Sequence, residues 1–211
     1  MEKIIKNNQI TVIGNLVFEF SFSHEVMGER FYTTKLSVKR KSGNADILPI
    51  VVSDRLVDVS KEWTGRIVRV SGQVRTYNKH EENKTHLILS AFAREFEEIQ
   101  ELPFMDFKND VFLDGFICKN PIYRETPLGR KVADILLAVN RPYGKSDYIP
   151  FIVWGRNAVF VNNLEVGAHI KVHGRLQSRE YQKKINEYES ETRVAYEVSI
   201  SRIEVVEETE D

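Results

Sequence analysis

Aromatic and cationic residues carry the chemistry this sequence could do. Arg141-Pro142-Tyr143-Gly144-Lys145 sets a ring between two cations in a loop-forming context. Tyr148 and Trp154 lie six apart, so they share a face if the segment is a strand. Arg156 follows two residues later. Arg179-Glu180-Tyr181-Gln182-Lys183-Lys184 again flanks a ring with cations, and Arg124 and Arg130-Lys131 stand upstream. Cations neutralise phosphates and aromatic faces stack on bases, at about 1–3 kcal/mol per base. Tyr143, Tyr148, Trp154 and Tyr181 are therefore candidate stacking residues. Arg124, Arg130, Lys131, Arg141, Lys145, Arg156, Arg179, Lys183 and Lys184 are candidate phosphate contacts. Tyr148 and Trp154 also have a plainer reading as core aromatics, but Phe151 and Val153 on the opposite face suit the core better. Singly, the cations are ordinary solvated charge; their grouping with rings is what informs.

Catalysis finds less support. The sequence holds no phosphate-binding glycine loop, nucleophile elbow or paired-histidine zinc motif. His169 and His173 are four apart and share a strand face, yet no third metal ligand accompanies them, so a solvent- or phosphate-facing pair is expected. The single cysteine, Cys118, excludes a disulfide framework and a cysteine zinc site. No enzyme activity, metal or cofactor is expected. The opening MEKIIKNNQI lacks an apolar signal core, and no run approaches the ~20 apolar residues of a membrane helix. A cytoplasmic protein without membrane contact is expected.

These residues sit in the second copy of an internal repeat. Val38-Lys39-Arg40-Lys41-Ser42-Gly43, Asp46 and Pro49-Ile50-Val51-Val52 align with Val139-Asn140-Arg141-Pro142-Tyr143-Gly144, Asp147 and Pro150-Phe151-Ile152-Val153 at a constant offset of 101. Gly14 matches Gly115, and after a one-residue insertion Gly72 matches Gly174. The 211 residues thus divide into a first domain over 1–99, a linker over 100–108, a second domain over 109–206 and an acidic tail over 207–211. The net charge of −1 divides too. Residues 1–107 hold 15 cations and 15 acids; residues 108–203 hold 15 and 11; residues 204–211 add 5 acids and no cation. A basic module is masked in the total.

Hydrophobic alternation predicts five strands per copy. In the second they are Val111–Ile117, Val132–Val139, Asp147–Trp154, Gly167–Tyr181 and Arg193–Val206, with a short helix within Asn157–Leu164. In the first they are Ile10–Phe20, Phe31–Arg40, Asp46–Val52, Ile67–Tyr77 and His86–Phe96, with a helical Asp54–Lys61. Five strands with one short helix between the third and fourth is the layout of an oligonucleotide/oligosaccharide-binding (OB) fold. The expected fold is all-β, two tandem OB barrels. An SH3-like barrel is the alternative, usually with shorter units. Gly14 and Gly115 fall inside the first strand, where a small barrel must bend to close.

A family resemblance rests on Thr126-Pro127-Leu128-Gly129-Arg130, Leu137-Ala138-Val139-Asn140-Arg141, Ile152-Val153-Trp154-Gly155-Arg156-Asn157-Ala158 and Gly174-Arg175-Leu176-Gln177-Ser178-Arg179. Residues 109–206 resemble the bacterial single-stranded DNA-binding protein family and the related primosomal replication protein N. The resemblance implies base stacking on Tyr143, Tyr148, Trp154 and Tyr181, where the family usually has Trp at several places. In the first copy the matching positions are Ser42, Ile47, Ser53 and Lys79, none aromatic. Tyr77 is the sole stacking candidate there, and the first copy's binding face reads as degenerate. The family's acidic tail ends in an apolar tip. Glu207-Glu208-Thr209-Glu210-Asp211 lacks it, and the tip-like Leu102-Pro103-Phe104 and Met105-Asp106-Phe107 are taken as coincidence.

The resemblance implies a single-stranded DNA-binding protein of DNA replication, repair or recombination. RNA stays open as a ligand, replication or repair proteins as partners, and a homodimer would supply four OB units. A protein-interaction or primosome-type scaffold is the alternative.

Overall fold

The computed structural model describes residues 6–81, 84–100, 108–186 and 189–207, without the side chains of 78–86 and 143. The first repeat comprises β1 (Asn8–Leu16), β2 (Ser21–Val26), β3 (Glu29–Lys39), β4 (Ala45–Ser53), β5 (Ile67–Glu81) and β6 (Lys84–Glu98). The second comprises β7 (Asn109–Ile117), β8 (Ile122–Glu125), β9 (Lys131–Asn140), β10 (Ser146–Trp154), α1 (Arg156–Val161), β11 (His169–Lys184) and β12 (Ser190–Val205). Each repeat is an OB barrel. β3 pairs with both β1 and β4, β4 runs parallel to β6, and β9, β7, β10 and β12 repeat the scheme.

Alternation builds each core. Leu36, Val38, Leu48 and Ile50 point into the first barrel, and Leu137, Val139, Ile149 and Phe151 into the second, all almost fully buried. Closure happens at the glycines. β1 pairs with β5 up to Asn15 and with β3 from Asn15 onward. A Cβ on Gly14 would lie 2.3 Å from the Ser37 carbonyl oxygen, and one on Gly115 2.4 Å from that of Ala138. Strands cross there at a distance no side chain allows. Gly115→Ala is expected to lower stability by about 1–3 kcal/mol, the usual cost of overpacking, which denaturant unfolding will measure.

Two features depart from the sequence reading. Each repeat has a sixth, short strand: β2 pairs with β3 and β8 with β9. The expected helix over Asp54–Lys61 is a run of turns. Asp58 Oδ1 accepts from both the Ser60 amide and its hydroxyl, at 3.2 and 2.6 Å. The Asp58 carbonyl accepts from the Lys61 amide at 3.3 Å, a turn bond, and from Trp63 Nε1 at 2.9 Å.

The repeats join through antiparallel pairing of β1 with β7, so the strands form one twelve-stranded sheet. Ile10 pairs with Val111, its own counterpart 101 residues on. Such self-pairing is the signature of a two-fold interface, here built within one chain.

A pair of buried carboxylates fastens this junction. Asp46 accepts from Arg40 of its own repeat, from Arg175 Nη1 at 3.1 Å and from the Ser178 amide at 2.8 Å. Asp147 accepts from Arg141 of its own repeat, from Arg75 Nη1 at 2.6 Å and from the Thr76 amide at 2.9 Å. Both carboxylates are wholly buried, or nearly so. Burial by itself raises the Asp147 pKa, but hydrogen bonds from Arg141, the Thr76 amide and Arg75 outweigh it and hold the group below the usual carboxylate range.

Candidate nucleic-acid interface

Strand parity decides which side chains face out of the second barrel. Phe151 and Val153 of β10 are buried inward, which sends Tyr148 and Trp154 outward at 51% and 41% exposure. Tyr148 stands opposite Ala138 and Trp154 opposite Val132 on β9. Arg124 of β8 also faces Val132 and therefore shares this face. β12 runs parallel to β10 with Ile152 beside Ser199, which puts Glu197 and Arg193 on the outer side. Tyr181 pairs with Arg193, and Arg179 lies two residues before it on the same side. The outer face of β8, β9, β10, β12 and β11 thus gathers Tyr148, Trp154, Tyr181, Arg124 and Arg179.

The remaining candidates surround that face. Tyr143 lies in a single 3-10 turn, Pro142–Gly144, between β9 and β10, and its side chain is outside those described. Lys145 follows the turn. Arg130 and Lys131 stand where the β8–β9 turn enters β9, Arg156 begins α1, and Lys183 and Lys184 end β11.

The cations fall into two groups. Arg124 is paired with Asp134 at 2.9 Å, and Arg179 with Glu197 at 3.4 Å while lying 5.9 Å from the Tyr181 ring centre. Arg141 is held by Asp147. Among the described residues, Arg130, Lys131, Lys145, Arg156, Lys183 and Lys184 have no ion-pair partner, so their charge is available to a polyanion. Sequence spacing could not separate these groups, because the acidic partners of Arg124 and Arg179 lie 10 and 18 residues away.

His169 and His173 share one face, as expected, but both are occupied with β7. His169 Nε2 is 2.6 Å from Asp114 Oδ1 and its ring stacks on Phe116; His173 packs against Phe112. Among the described residues no group of three His, Cys, Asp or Glu side chains is arranged to hold a metal ion, and no helix is long and apolar enough to cross a membrane.

The first repeat presents an outer face of different make-up. Tyr77 is exposed at its predicted position on β5, opposite Ile88. Ser42, Ile47 and Ser53 are non-aromatic, and the Lys79 side chain lies outside those described. Other rings replace them: His24 stacks on Phe31 at 5.0 Å between ring centres, and Phe31 lies 5.5 Å from Phe92. The sequence reading missed these residues because they sit on β2, β3 and β6 rather than at the family's positions. Their outward parity, with Ala91 and Ala93 buried on either side of Phe92, was the available signal.

Residues 108–206 match the model of the single-strand binding protein family. The second repeat is similar to that family over its whole length. Single-stranded DNA-binding protein 1 of Staphylococcus aureus strain COL is 44% identical over 81 residues, covering 35% of this chain and 48% of that protein. Single-stranded DNA-binding protein 3 of Listeria innocua is 41% identical over 81 residues, covering 35% and 51%. The chain spans about half the length of these curated relatives. The wild-type single-stranded DNA binding protein from Thermus aquaticus superposes on the whole chain, with a TM-score of 0.75, 19% identity and coverage of 97% of this chain and 95% of that one. That likeness extends the tandem OB architecture to both the family-matching repeat and the repeat before it.

Proposed function

We propose that the chain binds single-stranded DNA, chiefly on the outer face of the second repeat, in DNA replication, repair or recombination. The observation that carries the reading is the outward convergence of Tyr148, Trp154 and Tyr181, with six cations at the neighbouring turns and element ends that have no ion-pair partner among the described residues. Bases stack on the rings. Phosphates follow Arg130, Lys131, Lys145, Arg156, Lys183 and Lys184, with Arg124, Arg141 and Arg179 sharing their charge with protein carboxylates. Binding of this kind needs no reacting group, and no catalytic step is assigned. The names of the staphylococcal, listerial and Thermus proteins support the choice of ligand.

A competition assay among single-stranded DNA, duplex DNA and RNA at two salt concentrations tests the reading. Single-stranded DNA should outcompete the duplex, and equal competition by the duplex would overturn it. If all six unpaired cations meet phosphates, log Kd should change with log salt by about 0.7 for each, or roughly 4 in total. Lys183→Ala with Lys184→Ala should flatten that slope by about 1.4.

Four OB units would be reached by a homodimer. Light scattering should give twice the chain mass, and the mass of a single chain would contradict the homodimer.

A further inference from the structure

The outer face of the first repeat contains a cavity of about 320 Å³, with Val51, Ser90, Phe92 and Tyr77 among its walls. Ser90 is 2% exposed, and among the described residues its hydroxyl is the one buried side-chain polar atom without a hydrogen-bond partner. An unpaired buried hydroxyl is costly, and native structures normally give such a group a partner.

The second repeat shows what the space otherwise holds. Ser90 pairs across the ladder with Arg75, and the equivalent pair is Glu197 with Gln177. There Gln177 Nε2 donates to Glu197 Oε1 at 2.8 Å and Arg179 closes on the same oxygen, so the polar groups satisfy one another. In the first repeat Arg75 turns away to Asp147, and serine leaves the hole open.

The walls favour a flat, polar ring with a negative charge attached. Phe92 offers a face, with the Arg94 guanidinium 5.2 Å from its ring centre. His24 continues the same row, its ring stacked nearly parallel on Phe31. The lining includes three arginines, of which Arg75 and Arg141 share one carboxylate, Asp147, behind the wall, and Arg94 lies over Phe92. One of them, Arg141, belongs to the second repeat and precedes the turn that carries Tyr143, which places the cavity beside that turn.

We propose that this cavity is a base pocket in which one nucleobase of the bound single strand stacks on Phe92 and hydrogen-bonds Ser90 Oγ. The inference rests on single-strand binding by the second repeat. It gives the first repeat a site of its own, on positions unrelated to the family's stacking set. Because serine donates and accepts, the pocket takes either a base carbonyl or a ring N–H.

The full-length protein and oligo-dT provide the test. OB folds occupy roughly 4–16 nucleotides each, so a strand of about 30 reaches both repeats and one of about 8 covers one. Ser90→Ala removes the unpaired hydroxyl; it should raise the unfolding midpoint while weakening the 30-mer about three- to tenfold and leaving the 8-mer unchanged. Photo-crosslinking of 5-iodouracil-substituted 30-mers should yield adducts on the peptide carrying Phe92 as well as on that carrying Trp154. Adducts confined to the second repeat, or an unchanged 30-mer affinity in Ser90→Ala, overturn the pocket while leaving the proposed function standing. No binding of either oligomer overturns both.

Discussion

Replacing Asp147 with alanine is expected to destabilise the chain by about 3–5 kcal/mol, the usual cost of removing one partner from a buried ion pair. Two guanidiniums converge on this carboxylate, Arg141 from its own repeat and Arg75 from the other. Without it both cations remain in a half-buried site, and the Thr76 amide loses its acceptor. Asp147→Asn should cost less, because an amide oxygen can still accept from Thr76. Denaturant unfolding measures both, and loss of cooperativity between the repeats would accompany the larger effect. An unchanged midpoint for Asp147→Ala would contradict the role assigned to the junction.

The same group sets an acid limit. Its folded pKa lies below the ordinary value of about 3.9. The contribution is therefore complete above that ordinary value and is lost as pH falls through the lower, folded one. Stability of the parent chain should fall over that acid range. In Asp147→Asn this part of the fall should be missing, which pH-dependent unfolding will show.

The second large effect concerns binding. Tyr148→Ala with Trp154→Ala should weaken single-stranded DNA by about 2–6 kcal/mol, two stacked bases at about 1–3 kcal/mol each. Both rings are exposed, so folding stability should hardly change. Tyr181→Ala should cost less, because a single ring is removed and it already has the Arg179 guanidinium 5.9 Å from its centre. Filter binding or anisotropy with labelled oligo-dT measures both variants. A double variant that binds as tightly as the parent would place the strand elsewhere.

Much of this molecule is legible in its sequence, for identifiable reasons. Val132–Val139 and Asp147–Trp154 read as strands because alternate residues pack the barrel, and Gly14 and Gly115 as bends because no Cβ fits there. Ser21–Val26 escaped notice because every residue in β2 is exposed, leaving no alternation to read. The helix expected at Asp54–Lys61 lost to side-chain turns at Asp58.

For the site, Tyr148 and Trp154 followed from parity alone, whereas the state of each arginine did not. Arg141 looked like a free cation beside Tyr143, yet it is committed to Asp147. The repeat displayed Asp46 and Asp147 as equivalents without revealing that each is reached by an arginine of the opposite repeat. The ring row of His24, Phe31 and Phe92 was hidden because its members come from three separate strands.

The central claim is that a single strand lies on the outer face carrying Trp154. Trp63 is held by Asp58 in the other repeat, so Trp63→Phe leaves Trp154 as the only indole. Titrating that variant with oligo-dT at low salt should quench its emission to saturation, and duplex DNA at equal nucleotide concentration should not. Emission indifferent to oligo-dT, while a gel shift shows the strand bound, would contradict this location.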